Sequence, residues 1–279
     1  MPKMNLNCAW LDTPYELDKE YPYKVEILID KFKREFVPEG EVRIVILWEP
    51  TGYLIPDVMM YPDFYSYVFT YHQFILDNNS KARLFLGITM FVDHNISHNK
   101  IFGVSSVIGD KQSSLFPGYA KRHELWFKRN KITMPIGFFV SGADKFSGHS
   151  IVTPYGTIDV INERRIQKSK DEVFDHMFHI AIENAYANNF FTEKIVDCFA
   201  TRTIPIYIGA ENISEFFNSD GIISVKTVDE AIGVCNSLSE DYYHSRKDAI
   251  EDNYQRSLKY YDYNKMLTEK VMEVLPCVD

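Results

Sequence analysis

The chain has 279 residues, of which 46% are hydrophobic and 25% charged, with 15% aromatic and a formal net charge of -9. That composition belongs to an ordered globular protein and excludes a disordered one, and the length allows one large α/β unit or two smaller ones. The acidic balance opposes general binding to nucleic acid or an anionic membrane, which need clustered Lys and Arg, but leaves room for a small anion in one basic pocket.

Along the chain, "MNLNCAWL" reads as a strand. "YELDKEYPYKVEILIDKFKREF" places Val25, Ile27, Leu28, Ile29, Phe32 and Phe36 at roughly helical spacing, which predicts a helix. "EVRIVILWEP", from Glu41 to Pro50, is a second strand. "YSYVFTYHQFILDNN" predicts a strand and a short helix, and "ARLFLGITMFV" and "NKIFGVSSV" predict further strands. A helix follows Pro117-Gly118, then the strand "MPIGFFVSG" and the Gly- and Ser-rich loop "SGADKFSGHSIVTPYGT", whose length suggests mobility or function. "KSKDEVFDHMF" predicts a helix, "HIAIEN" a strand, "TEKIVDCFATR" a helix, "TIPIYIG" a strand and "VDEAIGVCNSL" a helix. A Tyr-rich tail from Glu240 to Leu275 has a helical pattern. Alternating strands and helices imply α/β architecture with parallel sheets covered on both faces. The polar stretch "VDHNISHNK" suggests a boundary near residue 98, giving domains 1–98 and 99–279.

Cys8, Cys198, Cys235 and Cys277 form no C-x-x-C pair, so neither a zinc site nor a disulfide framework is expected, and a reducing, cytoplasmic setting fits. No apolar run approaches the ~20 residues that span a bilayer, and "MPKMNLNCAWLD" has no signal-peptide core, which predicts a soluble, unanchored protein. Sequons at Asn78, Asn95 and Asn212 carry no weight without a secretion signal.

The stretch "FHIAIENAYANNFFTEKIVDCFATRTIPIYIG" concentrates the chemistry. A strand ends near Glu183, and Thr192 is suited to cap the next helix. The carboxyl end of a parallel strand and the positive end of a helix then meet in one loop, the setting in which α/β sheets bind phosphate-bearing ligands. Lys194 adds a full positive charge, and Glu193 can accept from sugar hydroxyls. The tripeptide alone is not specific, because Thr268-Glu269-Lys270 repeats it in the tail with no strand before it.

This stretch resembles the signature of the family 10 glycosyltransferases, the α-1,3/4-fucosyltransferases, with its F-x-x-x-x-E-N, T-E-K-[IL] and [TV]-[IV]-P-[IV]-Y-x-G segments in order. "VSSVIGDKQSSLFPGYAKRHELW" is similar to the family's Ser-Asn segment followed by an Arg on a helix; it aligns Ser105 and Ser106 there, with Ser106 where Asn is usual. "ILWEPTGYLIPDVMMYPDFYSYVFTY" weakly resembles the acceptor-domain segment. Clear similarity covers roughly residues 170 to 225. The resemblance implies a GT-B fold, two Rossmann-like domains with a cleft between them and the donor nucleotide-sugar on the C-terminal one, followed here by the helical tail. It assigns Arg122 and Lys194 to the donor diphosphate, Glu193 to the ribose, and Glu183, Asn184 and Thr192 to the donor pocket. Phe190 and Phe191 stand where the family often has Tyr, which removes a hydroxyl from the donor contacts.

Transfer from a nucleoside diphosphate sugar builds negative charge on the leaving phosphate, which must be stabilised. There is no D-x-D metal motif, and Arg122, Lys194 and a helix N-terminus can substitute for the ion, so no metal or cofactor is expected. Inversion needs a base for the acceptor hydroxyl. Glu49 ends the strand "RIVILW" at the position of the family's base, with Asp57 and Asp63 in reserve. The expected partners are a GDP- or UDP-sugar and a glycan acceptor, with GDP-fucose as the family default and a UDP-sugar such as UDP-xylose as the alternative. A non-catalytic nucleotide-sugar or glycan-binding module is the reading from a different class. The expected setting is the cytoplasm of a bacterium, or of a cell infected by phage or virus, or a membrane face.

Other features read blandly. His94 and His98 lack a third metal ligand. His123 reads as a helix surface residue, Trp48 and Trp126 as core, and Arg164-Arg165 with Lys168 and Lys170 as a solvated basic run, with help in holding the donor as the lesser alternative.

Overall fold

A computed structural model describes residues 5–8, 24–50, 52–95, 99–109, 111–141, 150–159, 164–166 and 170–275. The chain divides into two units: residues 1–88 with 188–190 and 262–279, and residues 89–187 with 191–261. The division falls after Ile88 rather than residue 98, and the end of the tail joins the first unit rather than the second.

In the first unit, β1 (Asn5–Cys8), β2 (Lys24–Ile29), β3 (Glu41–Leu47), β4 (Tyr67–Thr70) and β5 (Ala82–Leu84) form a parallel sheet in sequential order. Parallel connections cross over with one hand, so a sequential order sends the crossover helices to the same face. That face packs Leu28, Val45, Leu47 and Val68 against Val58 of α1 (Ile55–Met60) and Ile75 of α2 (Gln73–Asn78). The opposite face would be bare. It is covered by α8 (Tyr263–Val274), whose Leu267 and Val271 pack with Ile27, Ile29, Ile44, Ile46 and Phe69. Tyr263 stacks on Trp48 with ring centroids 5.5 Å apart, and the Tyr67 hydroxyl donates to the Val274 carbonyl at 3.0 Å.

The helix expected across residues 25–36 is therefore corrected: Lys24–Ile29 is a strand inside the sheet. Val25, Ile27 and Ile29 are β-branched, and a parallel strand buried on both faces needs a continuous apolar run. The later apolar residues form no stripe, since Phe32 packs against the α1 face while Phe36 is 73% exposed. Arg43 holds this segment in another shape, donating to the Glu35 carbonyl at 2.7 Å and to Glu26 at 2.7 Å.

In the second unit, β6 (Ile101–Ile108), β7 (Ile136–Val140), β10 (Arg164–Arg165), β11 (His176–Ile182), β12 (Ile204–Ile208) and β13 (Ile223–Ser224) form a parallel sheet of order β10-β7-β6-β11-β12-β13. The strands step away from β6 in one direction and restart beside it at β11, so the crevice at the carboxyl ends of β6 and β11 is the topological switch point where such sheets bind ligands. Helices α3 (Pro117–Lys128), α4 (Glu193–Ala200), α5 (Val228–Cys235), α6 (Glu240–Ser245) and α7 (Lys247–Ser257) complete the unit.

Three further expectations are revised. Of "KSKDEVFDHMF", the described residues form a short 3-10 turn, Asp171–Asp175, because the fully buried β11 begins at His176. "ARLFLGITMFV" holds only the three-residue β5. Part of the long loop is a hairpin, β8 (Ser150–Thr153) with β9 (Gly156–Asp159), and residues 142–149 of the loop lie outside the described residues.

Leu267 is fully buried between α8 and the first sheet. Leu267→Ala should cost about 2–5 kcal/mol. Hydrogen exchange should accelerate in β2, β3 and β4 and stay unchanged in β11 and β12.

Candidate active site

The second unit's site is built on the end of β11. Glu183 follows the strand directly, is fully buried, and its N–H continues the ladder to the Ile208 carbonyl at 2.9 Å. Its carboxylate turns to the start of α4, accepting the Thr192 backbone N–H at 2.9 Å and the Thr192 hydroxyl at 2.8 Å. Thr192 is the N-cap, and its Oγ1 also accepts the Lys194 N–H at 3.3 Å. Strand end, cap and first turn are thus one hydrogen-bonded assembly, in which an otherwise orphaned carboxylate satisfies the loop. Burial pushes the Glu183 carboxyl up, against the downward pull of Lys194, whose Nζ lies 3.9 Å away.

On the other side of the strand end, α3 makes its approach through Gly118. A Cβ there would stand 1.7 Å from the Glu183 carbonyl oxygen, so only glycine fits, and its N–H donates to the Asn184 carbonyl at 3.0 Å. This contact brings Arg122 against β11. Its guanidinium donates to the Ile182 carbonyl at 2.6 Å and to Asn184 Oδ1 at 2.8 Å, and lies 4.8 Å from the Tyr119 ring centre. Burial lowers its pKa from the usual arginine value, against the raising effect of Tyr119 and Glu183.

Between these parts lies a cavity of about 350 Å³, lined by the end of β6, by Tyr119 and Arg122, by His179 to Ile182 with Asn184, and by Glu193, Lys194, Asp197 and Lys170. It occupies the crevice between β6 and β11 and falls in the size range of small-molecule sites. Glu193 carries the local negative charge: although burial alone would raise it, the Lys194 and Lys170 ammonium groups hold it down at about 2. Lys194 Nζ is 3.1 Å from Glu193 Oε1, and Lys170 Nζ is 3.7 Å from the same oxygen. Burial would lower Lys194, but Glu193 and Glu183 raise it, so it stays charged. Four basic side chains, Lys111, Arg122, Lys170 and Lys194, thus line the cavity together with the ionised Glu193.

Of the residues expected from the sequence, Arg122, Asn184, Glu193 and Lys194 line this cavity together. Glu183 lies beneath the loop it holds. Ser105 and Ser106 are buried within β6, where Ser105 Oγ meets His179 Nδ1 at 2.8 Å and Ser106 Oγ reaches the Ile180 carbonyl at 3.4 Å. Phe190 is buried in the first unit, 5.0 Å from the Tyr71 ring. In that unit Glu49 follows β3 and is exposed, and its N–H donates to Asp30 Oδ1 at 3.1 Å. Asp57 pairs with Arg34 at 2.7 Å, and Asp63 is exposed in the short 3-10 helix Pro62–Phe64.

Asp197 and His179 were not expected, and Lys170 was expected mainly as solvated. Lys170 belongs to the supposed solvated run, of which Lys168 lies outside the described residues. Asp197 was visible only as the residue one helical turn after Glu193, on the same face. His179 is buried, and burial lowers it to about 3, leaving a neutral imidazole at the cavity wall. His123 is also buried rather than on the helix surface, with Nε2 2.9 Å from the Gly109 carbonyl. Trp126 is core, edge-on to Phe138 at 5.2 Å. His98 lies outside the described residues, and among those described no group of three or more His, Cys, Asp or Glu side chains is placed to hold a metal ion. No helix among them is long and apolar enough to cross a membrane.

Asp197 gives a test of this electrostatic description. Its Oδ1 accepts the Phe91 N–H at 2.8 Å, while Oδ2 is buried without a hydrogen-bond partner, 3.7 Å from Lys170 Nζ. Burial raises its pKa to about 7, against Lys170. A raised folded value adds stability that is complete below the unfolded pKa and is lost as pH rises through the folded one. Thermal unfolding should therefore show stability declining from about pH 4 to about pH 7 and levelling off above. In Asp197→Asn, which keeps an acceptor for Phe91, that decline should flatten.

Known proteins resemble this chain in the sequence of its C-terminal part and in its fold. Residues 140–274 match the model of the glycosyltransferase family 10 (fucosyltransferase) C-terminal domain. Over 178 residues the chain is 26% identical to an alpha-(1,3)-fucosyltransferase, FucT, of Helicobacter pylori, a match covering 60% of this chain and 34% of the relative. The chain thus spans about a third of that relative's length. Among solved structures, an alpha1,3-fucosyltransferase with GDP-fucose superposes with a TM-score of 0.51 at 15% identity, over 94% of this chain and 81% of that one. A point mutant of TarM from S. aureus, in complex with fondaparinux, alpha-GlcNAc-glycerol and UDP, gives 0.52 at 8% identity, over 88% and 54%. The chain therefore has a GT-B fold, and its residues 140–274 are similar to the C-terminal domain of glycosyltransferase family 10.

Proposed function

We propose that the protein is an inverting glycosyltransferase that binds a nucleoside diphosphate sugar in the cavity of its second unit and passes the sugar to a hydroxyl of a glycan, without a metal ion. The observation that carries this reading is the convergence of Arg122, Lys194 and Lys170 on one cavity at the switch point, beside the capped start of α4.

In this reading Arg122 and Lys194 take the diphosphate, and Glu193, held ionised, accepts from the ribose hydroxyls. As the acceptor oxygen attacks the anomeric carbon, the bond to the phosphate oxygen breaks and its electron pair moves onto the diphosphate. Fixed cations in a partly desolvated cavity stabilise that charge more than water would. The acceptor proton goes to Glu49, the carboxylate at the end of β3. GDP-fucose is the donor we infer from the family, and a UDP-sugar such as UDP-xylose is the alternative. Cytoplasmic action, where nucleotide sugars are made, fits a chain of this composition.

A thermal-shift panel of GDP, UDP, GDP-fucose and UDP-xylose tests the donor. The true donor at 100 times its dissociation constant should stabilise the protein by about 2.7 kcal/mol. Lys194→Met should remove most of that stabilisation, and an unchanged shift would move the diphosphate elsewhere. Glu49→Gln should leave the shift intact and lower turnover by about 10²- to 10⁴-fold. Chelator should leave turnover unchanged, whereas loss with recovery on adding manganese would overturn the metal-free mechanism.

A further inference from the structure

The carboxyl ends of three neighbouring strands in the first unit gather an unusual polar group. Asp30 follows β2, Trp48 and Glu49 follow β3, and Tyr71 and His72 follow β4. Asp30 has φ of 47°, the left-handed region that few side chains adopt, although its N–H still continues the ladder to the Ile46 carbonyl at 2.9 Å. The turn aims its carboxylate across β3, where Oδ1 accepts the Trp48 N–H at 2.8 Å and the Glu49 N–H at 3.1 Å. These amides lie just past the last paired residue of β2, Ile29 with Ile46, so the side chain takes over where the sheet stops. The Asp30 carbonyl in turn accepts the Tyr53 hydroxyl at 2.6 Å. One residue thus holds the segment that carries Glu49 at both its beginning and its far side.

The neighbourhood is not that of an ordinary turn. The Tyr71 hydroxyl and His72 Nε2 are buried without a hydrogen-bond partner, and the two rings stack 4.3 Å apart. Asp30 and Glu49 both raise Tyr71 electrostatically, so the two carboxylates and this hydroxyl share one environment. Backbone strain and unpaired buried polar groups are costly, and both concentrate where geometry is held for function.

We propose that Asp30 is a positioning residue, which fixes the backbone of Glu49 so that its carboxylate meets the acceptor hydroxyl. This rests on the assignment of Glu49 as the base. Asp30 acts through hydrogen bonds to two amides, so the essential feature is an acceptor oxygen at its Oδ1 and not its charge.

Two substitutions separate these properties. Asp30→Gly accepts the left-handed backbone without strain and removes the acceptor, whereas Asp30→Asn tolerates that backbone and keeps it. The reaction to follow is hydrolysis of whichever of GDP-fucose and UDP-xylose stabilises the wild-type protein more, alongside amide exchange at Trp48 and Glu49. We expect Asp30→Gly to lower kcat by about 10²-fold with KM for the nucleotide sugar unchanged, and to lose protection of both amides. Asp30→Asn should restore protection and come within about threefold of wild-type kcat, as its oxygen still orients the segment. Normal kcat in Asp30→Gly while Glu49→Gln is inactive overturns the proposal and leaves the base assignment standing. Equal loss in Asp30→Asn and Asp30→Gly overturns it as well, because charge would then be the essential feature. An active Glu49→Gln, or a wild-type protein that hydrolyses neither sugar nucleotide, removes the base assignment and this proposal together.

Discussion

The buried carboxylate of Glu183 accepts both hydrogens that Thr192 can offer, from backbone and hydroxyl, and this double contact fixes the start of α4 on the end of β11. Lys194 and Glu193 follow from it, since each takes its direction from the first turn of that helix. The proposed diphosphate site needs cations set in place before the ligand arrives, and the capped first turn above Glu183 sets Lys194 there. Removing the partner of such a buried charge leaves the charge stranded, which is why the assembly stands or falls as one piece.

Gly118 plays the complementary part on the other helix. Its missing side chain lets α3 touch the strand end, and Arg122 is carried to the cavity one turn later. The arginine spends two of its donors on Ile182 and Asn184, so its plane is set by the protein, leaving the rest of the fork for a ligand. Steric closeness at one position and a charge network at another thus converge on the same crevice.

Much of this was legible in the amino-acid order because the loop from Glu183 to Lys194 is local. A strand end, a capping threonine and an acidic-basic pair lie close together in that one loop, and their placement follows from spacing. Lys170, Asp197 and His179 were not legible for the opposite reason. Lys170 comes from the segment before β11, His179 from the middle of a strand, and their shared cavity exists only after the sheet is ordered. Asp30 was hidden in the same way, because its partners Trp48 and Glu49 belong to the next strand. The misreading of β2 has another cause: a parallel strand inside a sheet is buried along most of its length, so its apolar run mimics part of a helical stripe until its neighbours are known.

The last helix carries a consequence for how the chain acquires its shape. Because α8 seals one face of a sheet whose strands precede the second unit, that sheet emerges from the ribosome with an uncovered apolar surface and must wait until the second unit and then α8 have been made. The second unit's sheet and the helices on it have all their strands in hand earlier. The second unit is therefore expected to mature before the first unit's sheet is sealed, and the interval between is when a chaperone would have something to hold.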